Sequence, residues 1–407
     1  MKVIYFAEYL STPQTGGAVR VYQLSKRLIA SGHEVTVVCG GNPDRFGLPE
    51  IKKNIRQGVI DGINVVQIAV PYSNSFGIAK RMSSFLKYAF KAIGYAMRED
   101  YDLLFATSTP LTDGLPGIFA KWFRRKKFVF EVRDLWPELP KALGMKNPFL
   151  LLGMSILEKR SYHAADACIG LSPGICEGIK RRSQKGKPIA MIPNGCDLDI
   201  FSLSDRKPDC IPGVKTTDTV AVFTGAHGVA NGLDAVLDMA AVLKARGRDD
   251  IKMVFAGDGK LKPNLIERAK REGLDNCIFL DKMPKKELSD VMARADIGLM
   301  ILANVPAFYY GTSPNKFFDY IASGLPVVNN YPGWLADMIN ENKCGIAVEP
   351  EKPELFADAL IKLAENPELR KEYGINGRAL AEREFARDKL GAQFVDFLEK
   401  AYNKTKK

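Results

Sequence analysis

A lysine and an aspartate three residues apart stand in the most informative stretch of this chain. Lys316 and Asp319 follow a small polar loop at residues 311–314 and precede an apolar strand pattern. A helix that begins after such a loop presents free backbone amides and the positive end of its dipole. With the charge of Lys316, these groups suit a diphosphate, and Asp319 can accept hydrogen bonds from a ribose. The alternative is a helix in which Ser313 is only the N-cap and Asp319 is solvated.

A pair of glycines, Gly16 and Gly17, forms a second loop with features of an anion site. It joins the first predicted strand to a helix that contains Arg20. Glycines let the backbone approach a ligand closely, and the helix N-terminus favours an anion. The loop does not fit G-x-G-x-x-G and no acidic residue ends the next strand, so an NAD site is poorly supported. A glycine turn without a ligand is the alternative.

Polar residues also stand at the ends of two predicted strands in the first half. Glu8 ends the first strand, and Arg133 and Asp134 follow the strand at 128–132. Ligands of parallel α/β sheets usually bind at the carboxyl ends of the strands. Arg133 can therefore hold a phosphate or a sugar hydroxyl, and Glu8 can orient a second substrate. A structural Arg–Asp pair is the alternative at 133–134.

Composition narrows the class of protein. The chain has 407 residues, 46% hydrophobic and 26% charged, as expected for a globular protein of two or three domains. It contains no apolar run long enough for a spanning helix, and its first residues lack the pattern of a secretory signal, so we expect a cytoplasmic protein. Seven scattered cysteines without a CxxC pair indicate reduced thiols. Three histidines far apart argue against a zinc site.

The excess positive charge lies entirely in the first half. Residues 1–200 contain 28 Lys and Arg against 17 Asp and Glu, which accounts for the whole net charge of +11. The first half is therefore expected to approach something anionic, such as a membrane surface, a nucleic acid or a phosphorylated acceptor.

Short apolar segments alternate with helical periodicity twice along the chain. The predicted strands are 2–8, 34–39, 64–70, 102–107, 128–132 and 167–171, then 219–225, 251–257, 277–280, 296–301, 326–329 and 345–348. The alternation predicts an α/β protein with two Rossmann-like, doubly wound domains whose parallel sheets are covered on both faces. The Pro- and Gly-rich segment at 191–213 is the natural linker. We predict domains at 1–198 and 199–385, facing a central cleft, and a C-terminal helix at 386–407 that packs on the first domain.

The stretch from Gly311 to Val328 resembles the donor site of glycosyltransferase family 4, a retaining family with the GT-B fold. Asp319 matches the second acidic residue of the family's paired-Glu motif, five residues before the glycine of its Gly-x-Pro-Val-Val sequence. Further matches follow in order along nearly the whole chain. They are Gly16-Gly17, Gly32-His33-Glu34-Val35, Ile192-Pro193-Asn194-Gly195 with Asp197, and Gly257-Asp258-Gly259.

Finer details resemble the N-acetyl-L-fucosamine-type transferases of bacterial O-antigen and capsule synthesis. The similar segments are residues 130–138, 228–233 and 313–316. Three departures from the family pattern concern the grip on the donor. Gly311 replaces the first acidic residue, Gly225-Ala226-His227 and Asn231 replace the usual Arg and Lys, and Arg133 replaces a His. We therefore expect a different diphosphate clamp, built from Lys316 with Lys260 or Lys262.

The resemblance implies a set of site residues. The donor-binding residues are Gly17, Gly225, His227, Asn231, Gly257, Gly259, Lys260, Lys282, Met283, Gly311, Thr312, Ser313, Pro314, Asn315, Lys316 and Asp319. The catalytic residues are Arg133, Asp134 and Lys316. The acceptor-binding residues are Glu8, Gly16, Gly17 and Arg20. No metal and no cofactor are expected.

By the same resemblance, the donor is a UDP-sugar with an N-acetylated hexosamine or deoxyhexosamine, and the acceptor is a polyprenyl-diphosphate-linked saccharide. A basic helix with aromatic residues at 79–98 suggests contact with an anionic membrane surface, so we expect a peripheral protein at the cytoplasmic face of the inner membrane. A domain helix with solvated lysines is the alternative reading of 79–98. A sugar-nucleotide 2-epimerase or another GT-B enzyme acting on UDP-sugars is the alternative function. A nucleic-acid-binding protein has no recognised module in support, and no nucleic acid is expected as a partner.

Overall fold

Two parallel sheets organise the chain, each in a compact unit of its own. The computed structural model describes residues 1–15, 19–42, 45–72, 76–202 and 210–404. The first unit comprises Met1–Pro193, Gly311–Ser313 and Asp388–Lys407, and the second comprises Asn194–Tyr310 and Pro314–Arg387. The predicted α/β class with two doubly wound sheets is confirmed. The division at Pro193 lies close to the predicted one at residue 198.

The sheet of the first unit is wider than the sequence predicts. Its strands, within the described residues, are β1 (Lys2–Phe6), β2 (Glu34–Cys39), β3 (Glu50–Lys52), β4 (Ile55–Ile60), β5 (Ile63–Ile68), β6 (Leu103–Thr107), β7 (Lys127–Val132), β8 (Ala167–Gly170) and β9 (Ile189–Met191). They lie in the order β3-β4-β5-β2-β1-β6-β7-β8-β9. In this order, all neighbouring strands from β5 through β2 and β1 to β9 pair in parallel. The three strands β3, β4 and β5 pair antiparallel with one another in sequence.

Helices cover both faces of this sheet. They are α1 (Arg20–Ala30), α2 (Ile78–Arg98), α3 (Gly114–Arg124), α4 (Glu138–Ala142), α5 (Pro148–Ala164) and α6 (Pro173–Arg182). Val3 and Tyr5 of β1 belong to one core cluster, while Ile4 and Phe6 belong to another. Because neighbouring side chains of a strand point to opposite faces, β1 is buried on both sides.

The C-terminal helix completes one of these two cores. This helix, α15 (Arg387–Asn403), places Phe394 with its ring centroid 5.0 Å from that of Phe105. Leu390 and Leu398 belong to the same core cluster as Tyr5. The predicted return of the last helix to the first domain is thus observed.

The second unit repeats the α/β pattern with a fully parallel sheet. Its strands are β10 (Thr219–Thr224), β11 (Ile251–Ala256), β12 (Cys277–Leu280), β13 (Ile297–Met300), β14 (Val327–Asn329) and β15 (Gly345–Ala347), in the order β12-β11-β10-β13-β14-β15. The helices of this part of the chain are α7 (Asp234–Ala245), α8 (Lys262–Arg271), α9 (Lys285–Arg294), α10 (Pro306–Gly311), α11 (Asn315–Ala322), α12 (Trp334–Glu341), α13 (Pro353–Glu365) and α14 (Pro367–Leu380), followed by a π-helical turn at Ala381–Phe385.

Helix α11, which carries Lys316 and Asp319, is fixed to this sheet by an aromatic contact. A Cβ at Gly298 of β13 would lie 2.5 Å from the ring of Tyr320, so the glycine leaves room for that ring. The Tyr320 hydroxyl accepts a hydrogen bond from the Thr224 amide at 2.9 Å and donates to the Leu299 carbonyl at 3.2 Å. The helix is therefore held across β10 and β13.

Two further observations concern the chain as a whole. All seven cysteines are free thiols. Among the described helices, none has the length and apolar composition of a membrane span.

Candidate functional site

The first turn of α11 lacks a side-chain cap. Pro314, rather than Ser313, occupies the N-cap position, and it makes no side-chain hydrogen bond to the helix. The first amides of a helix have no partner within the helix and need one from outside it. An anion at this end would satisfy such amides and would interact favourably with the helix dipole.

Lys316 lies beside this helix end and is buried, with 9% of its surface exposed. Its Nζ donates to Asn231 Oδ1 at 2.5 Å and to the Ile301 carbonyl at 3.2 Å, and it lies 4.5 Å from the ring centroid of Phe223. Burial lowers the pKa of Lys316 to about 7. Within the described part of the chain, no carboxylate forms an ion pair with it. A buried cation without a counter-charge is a ready partner for an anionic ligand.

The Nζ of Lys316 lies at the edge of the sheet where ligands usually bind. Its partners follow the carboxyl ends of β10 and β13, which are neighbours in the sheet. From β10 the chain continues to β11 on one side, and from β13 it continues to β14 on the other. Ligands of open α/β sheets bind at such a switch point.

Asp319 is buried rather than solvated, and it belongs to an ion-pair network. Its Oδ1 lies 3.2 Å from Lys285 Nζ, which also contacts Asp197 Oδ2 at 2.6 Å. Arg387 pairs with the same Asp197. Burial raises the pKa of Asp319, and Lys285 opposes that shift. The Oδ2 of Asp319 accepts no hydrogen bond from any described residue, so it is available to a hydroxyl group.

Three glycines predicted to bind the donor bring the strand-end loops of this unit together. A Cβ at Gly257 would lie 1.9 Å from the Gly225 carbonyl oxygen, and one at Gly259 would lie 2.5 Å from the His227 carbonyl oxygen. Lys262 fastens the same loops because its Nζ donates to the carbonyls of Gly257 at 3.0 Å and Leu280 at 2.9 Å. It also pairs with Asp281 at 2.8 Å. Unlike Lys316, Lys262 thus has a carboxylate partner in the described part of the protein.

His227 lies behind these loops in an aromatic cluster. Its ring centroid is 5.9 Å from that of Phe223, 6.3 Å from that of Phe255 and 6.4 Å from that of Phe279. Burial lowers the pKa of His227, so the ring is neutral at physiological pH. A neutral ring packed on three aromatic rings supports the loop and supplies no charge to a diphosphate.

The other predicted donor-binding residues differ in exposure. Lys260 and Lys282 are exposed, whereas Met283, Gly311, Thr312, Ser313 and Asn315 are partly buried. Gly16 and Gly17 lie outside the described residues.

In the first unit, Glu8 is paired with an acid that the sequence reasoning missed. Its backbone amide donates to Asp113 Oδ2 at 2.8 Å, and both residues are buried. Burial raises the pKa of Glu8 to about 8 and also raises that of Asp113. Asp113 follows β6 as Glu8 follows β1, and the two strands are neighbours. The sequence contains a signal for this pair, because an acidic residue follows each of the two strands β1 and β6 within a few positions.

Arg20, which is predicted to bind the acceptor, is held by hydrogen bonds inside the first unit. Its Nε and Nη2 donate to Glu131 Oε1 at 2.9 Å and 2.8 Å. Its Nη1 donates to the Pro193 carbonyl and its Nη2 to the Ile192 carbonyl, both at 2.7 Å. The guanidinium is therefore directed into the interior, where it joins the end of the first unit to β7.

Arg133 and Asp134 lie partly buried after β7, as predicted, but they do not pair with each other. The backbone amide of Arg133 donates to Ser108 Oγ at 2.8 Å. No ion pair joins the two side chains in the part of the chain that the structure describes. Burial raises the pKa of Asp134, although the charge of Arg133 lowers that pKa and so opposes the effect of burial. Across the described residues no cluster of His, Cys, Asp and Glu has the form of a metal site.

Comparison with known families gives two matches that together cover most of the chain. Residues 15–200 match the sequence model of Glycosyltransferase Family 4, and residues 209–380 match that of Glycosyl transferases group 1.

Curated relatives are distant. An alpha-D-kanosaminyltransferase of Streptomyces kanamyceticus is 25% identical over 43% of this chain and 44% of its own length. A D-inositol 3-phosphate glycosyltransferase of Corynebacterium urealyticum is 25% identical over 59% of this chain and 61% of its own. The chain thus spans about half the length of these relatives. An MMP alpha-(1->4)-mannosyltransferase of Mycolicibacterium hassiacum is 24% identical over 98% of both chains.

Solved structures share the fold at low identity. Sucrose-phosphate synthase from Thermosynechococcus elongatus superposes with a TM-score of 0.76 at 16% identity over 100% of both chains. WaaG, a glycosyltransferase involved in lipopolysaccharide biosynthesis, gives 0.69 at 16% identity over 97% of this chain and 99% of its own. Anabaena HepE in complex with UDP-glucose gives 0.68 at 16% identity over 98% of this chain and 99% of its own.

Proposed function

This chain belongs to glycosyltransferase family 4 and has the GT-B fold, and on that premise we propose that it is a retaining glycosyltransferase. It moves a sugar from a UDP-sugar to a lipid-linked saccharide. The observation that carries the proposal is Lys316, a buried cation without a carboxylate partner among the described residues, beside a helix end without a side-chain cap. A diphosphate supplies the negative charge and the acceptor oxygens that this arrangement lacks.

The donor site of the proposal lies within the second unit. The amides of the first turn of α11 and Lys316 hold the diphosphate, and Asp319 Oδ2 accepts a hydrogen bond from the ribose. Asp281, Lys282 and Met283, which follow β12, lie near the base. Lys285 begins the next helix and pairs with Asp319, so the base-reading loop and the ribose ligand are joined directly.

The reaction keeps the anomeric configuration. The acceptor hydroxyl attacks the anomeric carbon on the face that the diphosphate leaves, the bond from that carbon to the phosphate oxygen breaks, and the leaving phosphate takes the hydroxyl proton. Lys316 and the helix amides stabilise the negative charge that develops on the leaving group, which is where most of the rate enhancement arises. Arg133 and Asp134, which form no ion pair with each other, are the proposed groups for the sugar.

Several features support the finer parts of the proposal. The relative HepE is named as a complex with UDP-glucose and WaaG as an enzyme of lipopolysaccharide biosynthesis. The positive charge of residues 1–200 suits a phosphorylated, membrane-bound acceptor. We therefore propose an N-acetylated hexosamine or deoxyhexosamine as the donor sugar, a polyprenyl-diphosphate-linked acceptor, and action at the cytoplasmic face of the inner membrane in the synthesis of a bacterial surface polysaccharide.

The donor-site assignment is tested by calorimetric titration with UDP. Lys316→Gln and Asp319→Asn are each expected to weaken UDP binding at least about tenfold, since each removes a charged hydrogen-bonding partner. Lys362→Gln is the matched control because Lys362 is an exposed lysine of α13 to which the donor site assigns no role. Unchanged affinity in both site variants would reject the assignment. Consumption of UDP-sugar in the absence of any acceptor would instead favour the epimerase alternative.

A further inference from the structure

An apolar cavity lies in the first unit, apart from the residues described so far. It has a volume of about 280 Å³ and lies between α2, the segment around Leu111 and α5. Apolar side chains form most of its wall, including Phe85, Leu111, Phe149 and Leu157. A wider groove of about 1170 Å³ continues from it. The two share lining residues, namely Arg81, Met82, Leu86, Trp136, Met145 and Leu150.

The helix that walls this cavity also exposes an apolar face. Phe149 is 83% exposed, Leu152 59% and Ile156 53%. Residues three and four apart lie on one side of a helix, so these three form a stripe on α5. Phe90 of α2 is a further exposed aromatic residue, at 69%. The other face of α2, with Tyr88, Ala92 and Ala96 buried, is ordinary domain core.

Two N–H donors in the cavity wall have no acceptor. Arg81 Nε and Trp136 Nε1 are buried and make no hydrogen bond to any described residue. Buried donors of this kind nearly always have a partner. No described residue supplies one here, and a ligand or water can. Lys87 and Lys146 line the adjoining groove, and among the described residues no Asp or Glu lines either space. The site therefore combines an apolar wall with donors and positive charge.

We propose that this cavity and groove bind one isoprenoid diphosphate, with the hydrocarbon chain along α5 and the diphosphate on Arg81 and the groove lysines. The inference rests on the proposed function, because it assigns the lipid end of the acceptor to named residues. Of the exposed stripe, Phe149 lines the cavity, so an apolar chain covers it together with Leu150 and Leu157. The anionic end supplies acceptors to Arg81 and Trp136. A cavity of about 280 Å³ is close to the lower limit of small-molecule pockets and suits one narrow chain.

A glycine in the cavity wall allows a sharp test. Gly153 lines the cavity, and a Cβ built on it meets nothing within 4 Å, so a leucine side chain can start there without a clash and extend into the cavity. Gly94 of α2 also has nothing within 4 Å and lines neither space, which makes Gly94→Leu the matched control. The probe is farnesyl diphosphate, titrated calorimetrically into the full chain, with inorganic diphosphate and farnesol as separate probes.

We expect Gly153→Leu to weaken farnesyl diphosphate binding at least tenfold and Gly94→Leu to leave it unchanged. Arg81→Gln should weaken the binding of farnesyl diphosphate more than the binding of farnesol. If far-UV circular dichroism shows that Gly153→Leu does not fold, Arg81→Gln becomes the test variant. Equal affinity of all variants would overturn the proposal, as would a Gly153→Leu protein that loses binding to phosphatidylglycerol vesicles but not to farnesyl diphosphate. UDP affinity separates this outcome from the proposed function. If UDP binds and Gly153→Leu has no effect on farnesyl diphosphate binding, the cavity proposal alone is rejected. If UDP does not bind and Gly153→Leu weakens farnesyl diphosphate binding as expected, the donor site alone is rejected.

Discussion

Two lysines of the second unit show how environment decides what a residue can do. Lys262 and Lys316 are both buried, yet Lys262 pairs with Asp281 and two carbonyls, whereas Lys316 has no carboxylate partner among the described residues. The sequence identifies both as candidates for the diphosphate clamp. It cannot separate them, because the Leu280 carbonyl and the Asp281 carboxylate that hold Lys262 lie 18 and 19 residues away along the chain. A buried ammonium without a counter-charge loses its proton more easily than a paired one.

The pKa of Lys316 makes UDP binding dependent on pH. Burial lowers that pKa from 10.5 to about 7, and the diphosphate favours the protonated amine. Below pH 7 the amine is already charged, so UDP affinity should be constant on its account. Above pH 7 binding requires the uptake of a proton, and the affinity should fall by up to about tenfold per pH unit. Calorimetry between pH 6.5 and 9 measures the decline.

The control for this prediction is Lys316→Gln, in which the decline above pH 7 should vanish. A flat profile in the unmodified protein would contradict the assignment. The same shift has a consequence for folding. The unfolded lysine keeps its proton up to about pH 10.5, so the cost of burying Lys316 is greatest below pH 7 and is lost as the pH rises from 7 to 10.5.

At the scale of elements, the strands that the sequence predicts are those with continuous apolar runs. Strands β1, β6 and β7 are buried on both faces and read as such runs. Strand β4 (Ile55–Ile60) pairs antiparallel next to the sheet edge and only partly buries its side chains, so it lacks the run on which the prediction depends. The helices α4 and α10 have two turns or fewer, which is too short for hydrophobic periodicity to predict them.

The site residues divide in the same way. The positions of Lys316 and Asp319 at a loop–helix junction follow from local sequence, and the structure places them there. The burial of Asp319 against Lys285 and the use of Arg20 by Glu131 depend on pairs far apart in the chain. A single sequence does not show which distant residues pair, so these two contacts could not be predicted from it.

The loops after β10 and β11 depend on a glycine at position 257. A Cβ there would lie 1.9 Å from the Gly225 carbonyl oxygen, and the φ angle of Gly257 is +152°. Gly257→Ala should therefore lower the stability of the second unit by at least about 2 kcal/mol. Gly247→Ala is the control, because Gly247 also has a positive φ of +69° but nothing within 4 Å of a Cβ, and its cost should be about 1 kcal/mol. Differential scanning calorimetry measures both, and equal shifts would show that the close approach is unimportant.

At the scale of the whole molecule, the first unit is built from chain segments at both ends of the sequence. Residues of α15 complete a core that otherwise belongs to the first 193 residues. The sequence predicts α15 and its packing on the first domain, but not which side chains of the first core it meets.

The contribution of α15 is measurable through Phe394, which is fully buried against Phe105. Phe394→Ala should destabilise the first unit by about 3–5 kcal/mol, through lost burial and the cavity left behind. Lys400→Ala, at an exposed position of the same helix, should change stability by less than about 0.5 kcal/mol. In a Trp334→Phe background, which removes the tryptophan of the second unit, urea denaturation followed by the fluorescence of Trp122 and Trp136 reports on the first unit. A small effect of Phe394→Ala would mean that α15 is dispensable to that core.

The two-segment construction of the first unit also sets the order of events on the ribosome. Residues 1–193 emerge early, but the helix that closes their core emerges only after the entire second unit has been translated. At typical elongation rates the intervening residues take roughly 10–40 s to make. During that time an apolar groove beside Phe105 stays open in the nascent chain, and chaperones can bind to it. The first unit is therefore synthesised first but completes its core last.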